Sequence, residues 1–268
     1  MHAMAKTVFQ PRYTAWLQSF TYAGLVPVML QEQFRMHPNL LYFPNKISYH
    51  GQIRSAGSCG KLVPPSGFPW PRGYSSAFVN CESEEMPQGV SFSNPSECAT
   101  VLRIVDKFLT EGTVAAREIC ILAAYHPQVS LIKERMRQSS SQPAMREVHV
   151  SSIDAFQGRE SLVFILSMVR SNMKGSTGLL NQRQRLNVAF TRARTGLIIV
   201  GNAPSLLRGD TEFIWKAFFK RYGALDEQRT RTHTYLHMHS TECAYMHTYA
   251  YTHARMYRRP SPYIHVSE

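Results

Sequence analysis

An α/β fold with a mostly parallel sheet is predicted by three observations. Short apolar runs recur at Ile119–Ala124, Leu162–Val169 and Leu197–Val200, the last bounded by Gly196 and Gly201. Runs of this length between turn residues read as buried strands. Between such runs lie stretches with apolar residues at helical spacing, and strands that alternate with helices favour parallel βαβ packing. Finally, 268 residues at 44% hydrophobic content are enough for one sizeable core.

In chain order, residues 1–24 form a lead-in, with Tyr13–Tyr22 as an amphipathic helix stopped by Gly24. Leu25–Leu30 reads as a short strand. The Gly-, Pro- and Ser-rich stretch Gly51–Gly73 reads as a long loop. Ala77–Cys81 reads as a strand, and the polar, acidic Glu82–Asn94 as another loop. Asn94 followed by Pro95 is a helix start, a cap and then a proline at the first helical position. Val101, Leu102, Val105, Phe108 and Leu109 continue that helix to Gly112. Pro127–Arg137 is a second helix, with Val129, Ile132 and Met136 on one side. Val148, Val150 and Ile153 alternate as a strand does. Helices are expected at Ala203–Leu207 and Thr211–Tyr222, the latter with a core-facing stripe of Phe213, Ile214, Ala217 and Phe218.

Past Gln228 the composition shifts to His, Tyr, Thr, Met and Arg with little apolar periodicity. Six of the 11 histidines lie there, without fixed metal-ligand spacing. The expected organisation is a lead-in at 1–24, a folded domain at 25–222 and a disordered tail at 223–268.

The net charge is +12. Five of the 30 Lys+Arg and two of the 18 Asp+Glu lie past Gln228, so residues 1–228 keep an excess of +9. That balance favours a polyanionic partner, nucleic acid first and an anionic membrane surface second. No run approaches the ~18 apolar residues of a membrane span, and no long apolar leader opens the chain. The five scattered cysteines, without CxxC spacing, suggest reduced, partly buried thiols in a cytoplasmic or nuclear protein.

Three stretches carry candidate chemistry. Asn181–Arg194 (NQRQRLNVAFTRAR) holds four arginines and no acid, directly ahead of the Leu197–Val200 strand. Arginine keeps its charge and offers a planar fork that suits phosphate. A basic solvated helix face is the alternative reading. Gln33–Pro38 (QFRMHP) sets Phe34, able to stack on a base, beside Arg35, which an α/β sheet could present at a strand's carboxyl end. Ser151–Glu160 (SSIDAFQGRE) groups hydroxyls, amides and opposite charges around one glycine at a strand end. There they could hold phosphate or a ribose hydroxyl, or form only a polar turn. A non-catalytic single-stranded nucleic-acid-binding module also fits these residues, and the histidines past Gln228 leave open a pH- or metal-responsive His-rich protein.

Taken together, QFRMHP (33–38), SSIDAFQGRE (151–160) and RLNVAFTRAR (185–194) resemble motifs IV, V and VI of superfamily 1B helicases, in particular the nonsense-mediated-decay and senataxin-like RNA/DNA helicases. FPNKISYHGQI (43–53) and ILAAYHPQ (121–128) agree with that order. The resemblance implies the second RecA-like domain of a two-domain ATP-driven motor, a three-layer fold of the P-loop-NTPase type. It implies that Phe34 stacks on adenine, that Arg35 contacts the γ-phosphate and that Arg192 is the arginine finger. Glu160 would touch the ribose, and Gln157 and Gly158 would border the nucleotide. Ser152 and Asp154 would couple to the nucleic-acid backbone, with Tyr125 and Gln128 as further contacts.

One departure is large. No GxxxxGK[ST] P-loop is present; Gly57–Leu62 has the wrong spacing and ends in Leu. Nor does an Asp-Glu pair precede Gln33 to hold Mg²⁺. ATP with Mg²⁺ is therefore expected only with a P-loop-bearing first RecA-like domain, in cis or in trans. The chain alone is expected to be a poor ATPase. Single-stranded RNA or DNA is the expected partner, and no resident metal is expected.

Overall fold

The computed structural model describes residues 28–71, 74–139, 142–156, 159–209, 211–223 and 225–226. The expected helix at 13–22, residues 25–27 of the expected strand, Gln157, Gly158 and nearly all of the expected tail lie outside them.

The core is a six-stranded, all-parallel sheet in the order β10-β3-β9-β8-β6-β7. Its strands are β3 (Ser76–Asn80), β6 (Ile119–Ala123), β7 (His149–Ser152), β8 (Ser161–Ser167), β9 (Ala193–Gly201) and β10 (Leu225–Asp226). The period-two geometry of strands sends alternate residues to opposite faces. Phe78, Cys120, Leu122, Phe164, Leu166, Leu197 and Ile199 enter one apolar cluster. Their neighbours Ala77, Val79, Ile121, Val163, Ile165, Ile198 and Val200 enter the other. Both faces are covered, so the strands are continuous apolar runs, as parallel sheets require.

Helices α1 (Pro38–Ser48), α4 (Arg183–Phe190) and α6 (Glu212–Tyr222) cover the first face, together with the short α5 (Ala203–Leu206). Phe43, Phe190, Trp215 and Phe218 join there in edge-on and stacked contacts. Helices α2 (Pro95–Glu111) and α3 (His126–Gln138) cover the second face through Val101, Val105, Phe108, Val129 and Ile132. The architecture is a three-layer α/β sandwich. The cap of α2 is as expected: the Asn94 side chain accepts from Glu97 N–H at 3.0 Å, and Gly112 closes the helix at φ 64°.

Several expectations need correction. Residues 28–30 are not a strand; among the described residues the first to pair are β1 (Glu32–Gln33), parallel to β2 (Arg54–Ser55). That second strand, and a 3₁₀ turn at Gly57–Lys61, lie within the stretch expected to be a loop. The acidic stretch 82–94 contains a hairpin, β4 (Met86–Gln88) with β5 (Ser91–Ser93). Arg194 does not precede β9 but belongs to it. Among the described residues no helix is long and apolar enough to cross a membrane. Cys59, Cys81, Cys98 and Cys120 are buried thiols, none in a disulfide. Burial pushes the Cys98 thiol up to about 11 and raises that of Cys120 as well.

Candidate nucleotide-facing arginine site

The amino ends of β8 and β9 lie side by side, with Ser161 N–H donating to Arg192 O at 3.3 Å. Glu160 therefore enters β8 next to the point where Arg192 enters β9. The 33–37 segment docks onto the same edge, through His37 N–H to Arg194 O at 3.0 Å. These three pieces of chain bring Arg35, Glu160, Arg192 and Arg194 together.

Glu160 is the centre of the cluster. Its Oε2 accepts from Arg35 Nε at 2.6 Å, and its Oε1 lies 3.9 Å from Arg194 Nε. Arg35 also donates through Nη1 to Thr191 O at 3.1 Å, at the carboxyl end of α4. A cation is favoured there, because the last carbonyls of a helix point outward unpaired. Arg192 donates through Nε to Val188 O at 3.0 Å and through Nη2 to Thr191 Oγ1 at 3.4 Å. Its part-burial, and then the like charge of Arg35, hold its guanidinium below the usual arginine range. Three guanidinium groups surround one carboxylate, so the edge carries excess positive charge. An anion placed there would relieve the repulsion between Arg35 and Arg192.

Phe34 adjoins this edge with 73% of its surface exposed. A phenyl ring so exposed beside an arginine is not core, and its face is open to a planar ligand. Arg35 thus pairs with Glu160, and Arg192 lies within electrostatic reach of both, with Phe34 alongside.

The location corrects the strand-end argument. In the six-stranded sheet the cluster sits at the amino ends of β8 and β9, although Phe34 and Arg35 themselves directly follow the carboxyl end of β1 in its own small sheet. The reason is local. The chain leaves β7 at its carboxyl end and enters β8 at its amino end, and the 33–37 segment docks onto β9 where that strand begins.

The four residues expected to meet nucleic acid are not alike. Asp154 is exposed and takes a bidentate pair from Arg185, with Nε–Oδ1 and Nη2–Oδ2 both 3.0 Å. Ser152 is largely buried at the end of β7, and its Oγ accepts from Ala155 N–H at 3.3 Å. Tyr125 is buried; its hydroxyl lies 3.3 Å from Thr177 O and accepts from Leu179 N–H. Gln128 has no exposed surface, and its amide is used by Asn94 N–H, Asn94 O and Ser167 Oγ. A side chain without surface offers a strand nothing, so in this conformation Gln128 is a core linker. Sequence placed it near the start of a helix, but could not tell that it points inward.

Three contributors were missed. Thr191 supplies the carbonyl that fixes Arg35, and Arg185 is the partner of Asp154. Gln33 organises the turn that carries Phe34 and Arg35: its Oε1 accepts from both Arg35 N–H and Met36 N–H at 2.8 Å. Its position two residues before Arg35 was the one available signal. Among the described residues no group of three His, Cys, Asp or Glu side chains could hold a metal ion.

Comparison with known proteins gives the family. A family model described as an AAA domain, AAA_12, matches residues 14–204. The Regulator of nonsense transcripts 1 of Dictyostelium discoideum is 40% identical over 204 residues, covering 74% of this chain and 15% of that protein. The ATP-dependent helicase NAM7 of Saccharomyces cerevisiae is 38% identical over 210 residues, covering 76% of this chain and 22% of its own length. The chain thus spans less than a quarter of the length of either relative. Among solved structures, the C-terminal domain of a possible DNA helicase from Lactobacillus plantarum aligns over 63% of this chain and 88% of its own, at 12% identity and a TM-score of 0.40. Nothing below rests on that alignment.

Proposed function

The chain belongs to the AAA_12 family of AAA domains, as a superfamily 1 helicase RecA-like domain of the nonsense-mediated-decay group, and from that premise we propose that it is the C-terminal half of an ATP-driven nucleic-acid motor. Its part is to present arginines to a nucleotide held by a separate P-loop domain. The observation that carries this reading is the convergence of Arg35, Arg192 and Arg194 around Glu160, with the exposed Phe34 ring beside them.

Each group has a distinct task. Phe34 stacks against the adenine and contributes mainly to nucleotide affinity. Glu160 accepts from a ribose hydroxyl and must then share its oxygens between that hydroxyl and Arg35. Arg35 and Arg192 meet the γ-phosphoryl group, where negative charge is redistributed as the bond to the leaving phosphate breaks. Arg192 is anchored by Val188 O and Thr191 Oγ1, so little reorganisation is needed at the moment of reaction. Gln157 and Gly158 complete the reading as residues bordering the nucleotide.

Mg²⁺ belongs to this chemistry as a neutraliser of phosphate charge. The described residues offer no cluster for it, so the partner domain and the nucleotide would hold it, and none of the steps assigned to this chain passes through it. Single-stranded RNA or DNA is the proposed track. Its support is the +9 excess of residues 1–228, together with the Asp154–Arg185 pair at the surface.

The test is ATP hydrolysis by a first RecA-like domain that carries a P-loop, alone and then with this full chain, mixed or fused. Stimulation of about 10³-fold or more is expected, the usual scale of arginine-finger catalysis. No stimulation when the two are fused would contradict the reading.

A further inference from the structure

The side-chain amide of Gln33 is fully engaged by the turn that follows it. Its Oε1 accepts from Arg35 N–H and Met36 N–H, both at 2.8 Å. Its Nε2 donates to Met36 O at 2.7 Å and to Ser55 Oγ. Two backbone donors on one end and a backbone acceptor on the other leave only one orientation for the amide. The backbone of Gln33 is held as well. It pairs with Ser55 in the β1–β2 ladder, and its carbonyl accepts from Ala56 N–H at 2.9 Å. Ser55 Oγ closes the ring by donating to Met36 O at 3.3 Å. Phe34 and Arg35 have no regular secondary structure of their own to hold them. The Phe34 ring is exposed and gains little from packing.

We propose that Gln33 is the positioning residue of the arginine site, with Ser55 behind it. Its amide fixes the 34–36 turn so that Phe34 and Arg35 are presented together, one to the base and one to the phosphate. This inference rests on the proposed nucleotide reading and deepens it. What the clamp supplies is preorganisation. An arginine finger works only when its fork already sits where charge will develop, and a misplacement of about 1 Å can cost on the order of 10²-fold in rate. The ion pair to Glu160 and the bond to Thr191 O orient the Arg35 guanidinium, but neither fixes the backbone from which it projects. Gln33 does. Glutamate at this position would keep both acceptor contacts and lose both donors, setting a carboxylate against Met36 O. Leucine would lose all four.

The experiment uses the full chain joined to a P-loop-bearing first domain, comparing Gln33→Leu, Gln33→Glu, Arg35→Ala and the double variant Gln33→Leu/Arg35→Ala. Gln33→Leu should lower kcat for ATP about 10- to 100-fold and raise KM for ATP through Phe34, with Gln33→Glu between it and wild type. In the Arg35→Ala background, Gln33→Leu should lower kcat by less than about 3-fold, because its route to the phosphate is already gone. An additive effect in that background would overturn the proposal, since a general loss of structure would act whether or not Arg35 is present. Wild-type kcat in Gln33→Leu would overturn it too. If Arg35→Ala itself turned over like wild type, the nucleotide reading would fail, and a second measurement would still judge Gln33. In the chain alone, hydrogen exchange on peptides spanning residues 34–37 should speed up about 10-fold or more in Gln33→Leu, with β8 and β9 unchanged. Unchanged exchange at 34–37 would sink the clamp itself.

Discussion

Glu97 is a carboxyl group in the apolar interior, and its burial makes the fold's stability depend on pH in an unusual direction. It lies in the first turn of α2 with no exposed surface. Its Oε2 accepts from Ser167 Oγ at 2.7 Å and Val169 N–H at 2.9 Å, while its Oε1 has no partner. Burial raises its pKa from 4.5 to about 8, and Glu85 adds to the rise; the hydrogen bonds only partly oppose it. A carboxyl group raised on folding is protonated in the native chain and ionised in the unfolded one across this window. The unfolded state then binds fewer protons, so stability falls as pH rises. The contribution is complete below about pH 4.5 and is lost as pH climbs towards 8. At about 1.4 kcal/mol per pH unit, the loss between pH 5 and pH 8 is on the order of 3 to 4 kcal/mol. For a domain of this size that corresponds to roughly 10 °C in Tm. Thermal denaturation at pH 5, 6, 7 and 8, wild type against Glu97→Gln, checks it. The variant mimics the protonated acid, so the difference between the two curves isolates Glu97 from the histidines that titrate nearby in pH. Wild type should lose ground to the variant steadily as pH rises. Parallel curves, or wild type gaining on the variant, would refute the reasoning.

Two further outcomes follow. Gly175 has φ 66°, and a Cβ there would lie 2.5 Å from Gly209 N, so Gly175→Ala should cost about 2 to 4 kcal/mol in urea denaturation. Gly57→Ala, facing open space, should stay within about 0.5 kcal/mol, and equal effects would contradict the packing argument. Binding to single-stranded RNA or DNA should be weak, indifferent to sequence and steeply weakened by salt, because each neutralised phosphate releases counterions. Filter binding across a salt series with an unchanging affinity would count against a phosphate-tracking surface.

The strands were legible because a parallel sheet buried on both faces needs continuous apolar runs, and β6, β8 and β9 are such runs. α2 was legible from Asn94, Pro95 and Gly112. α1 was not, because Pro44 interrupts it and hides an apolar face made of Leu40, Leu41 and Phe43. β1 and β2, two residues each, are too short to show a period. For the site, individual residues said little. The resemblance drew together Arg35, Glu160 and Arg192, which lie up to 157 positions apart; the arginine-rich stretch, Arg194 apart, was rightly placed ahead of its strand, whereas the strand-end argument for Arg35 pointed to the carboxyl edge of the sheet. Inward-pointing polar groups were the blind spot. Gln128 was read as a nucleic-acid contact, and Glu97 was not singled out at all. Yet Glu97 falls on the stripe of Val101, Ile104 and Phe108, and a carboxylate on an apolar face was the available sign.

The central claim is that Arg192 acts on the nucleotide, and the most direct measurement is steady-state ATP turnover by Arg192→Ala in the full chain joined to a P-loop-bearing first domain. Arg192 would meet charge that appears only in the transition state. Its loss should therefore lower kcat by about 10³-fold or more, with little change in the affinity for single-stranded nucleic acid. Arg192→Lys should recover only part of the rate, because a point charge cannot reproduce the planar fork held between Val188 O and Thr191 Oγ1. Wild-type turnover in Arg192→Ala, with nucleic-acid affinity lost instead, would contradict the account and return the arginines to a nucleic-acid-facing surface.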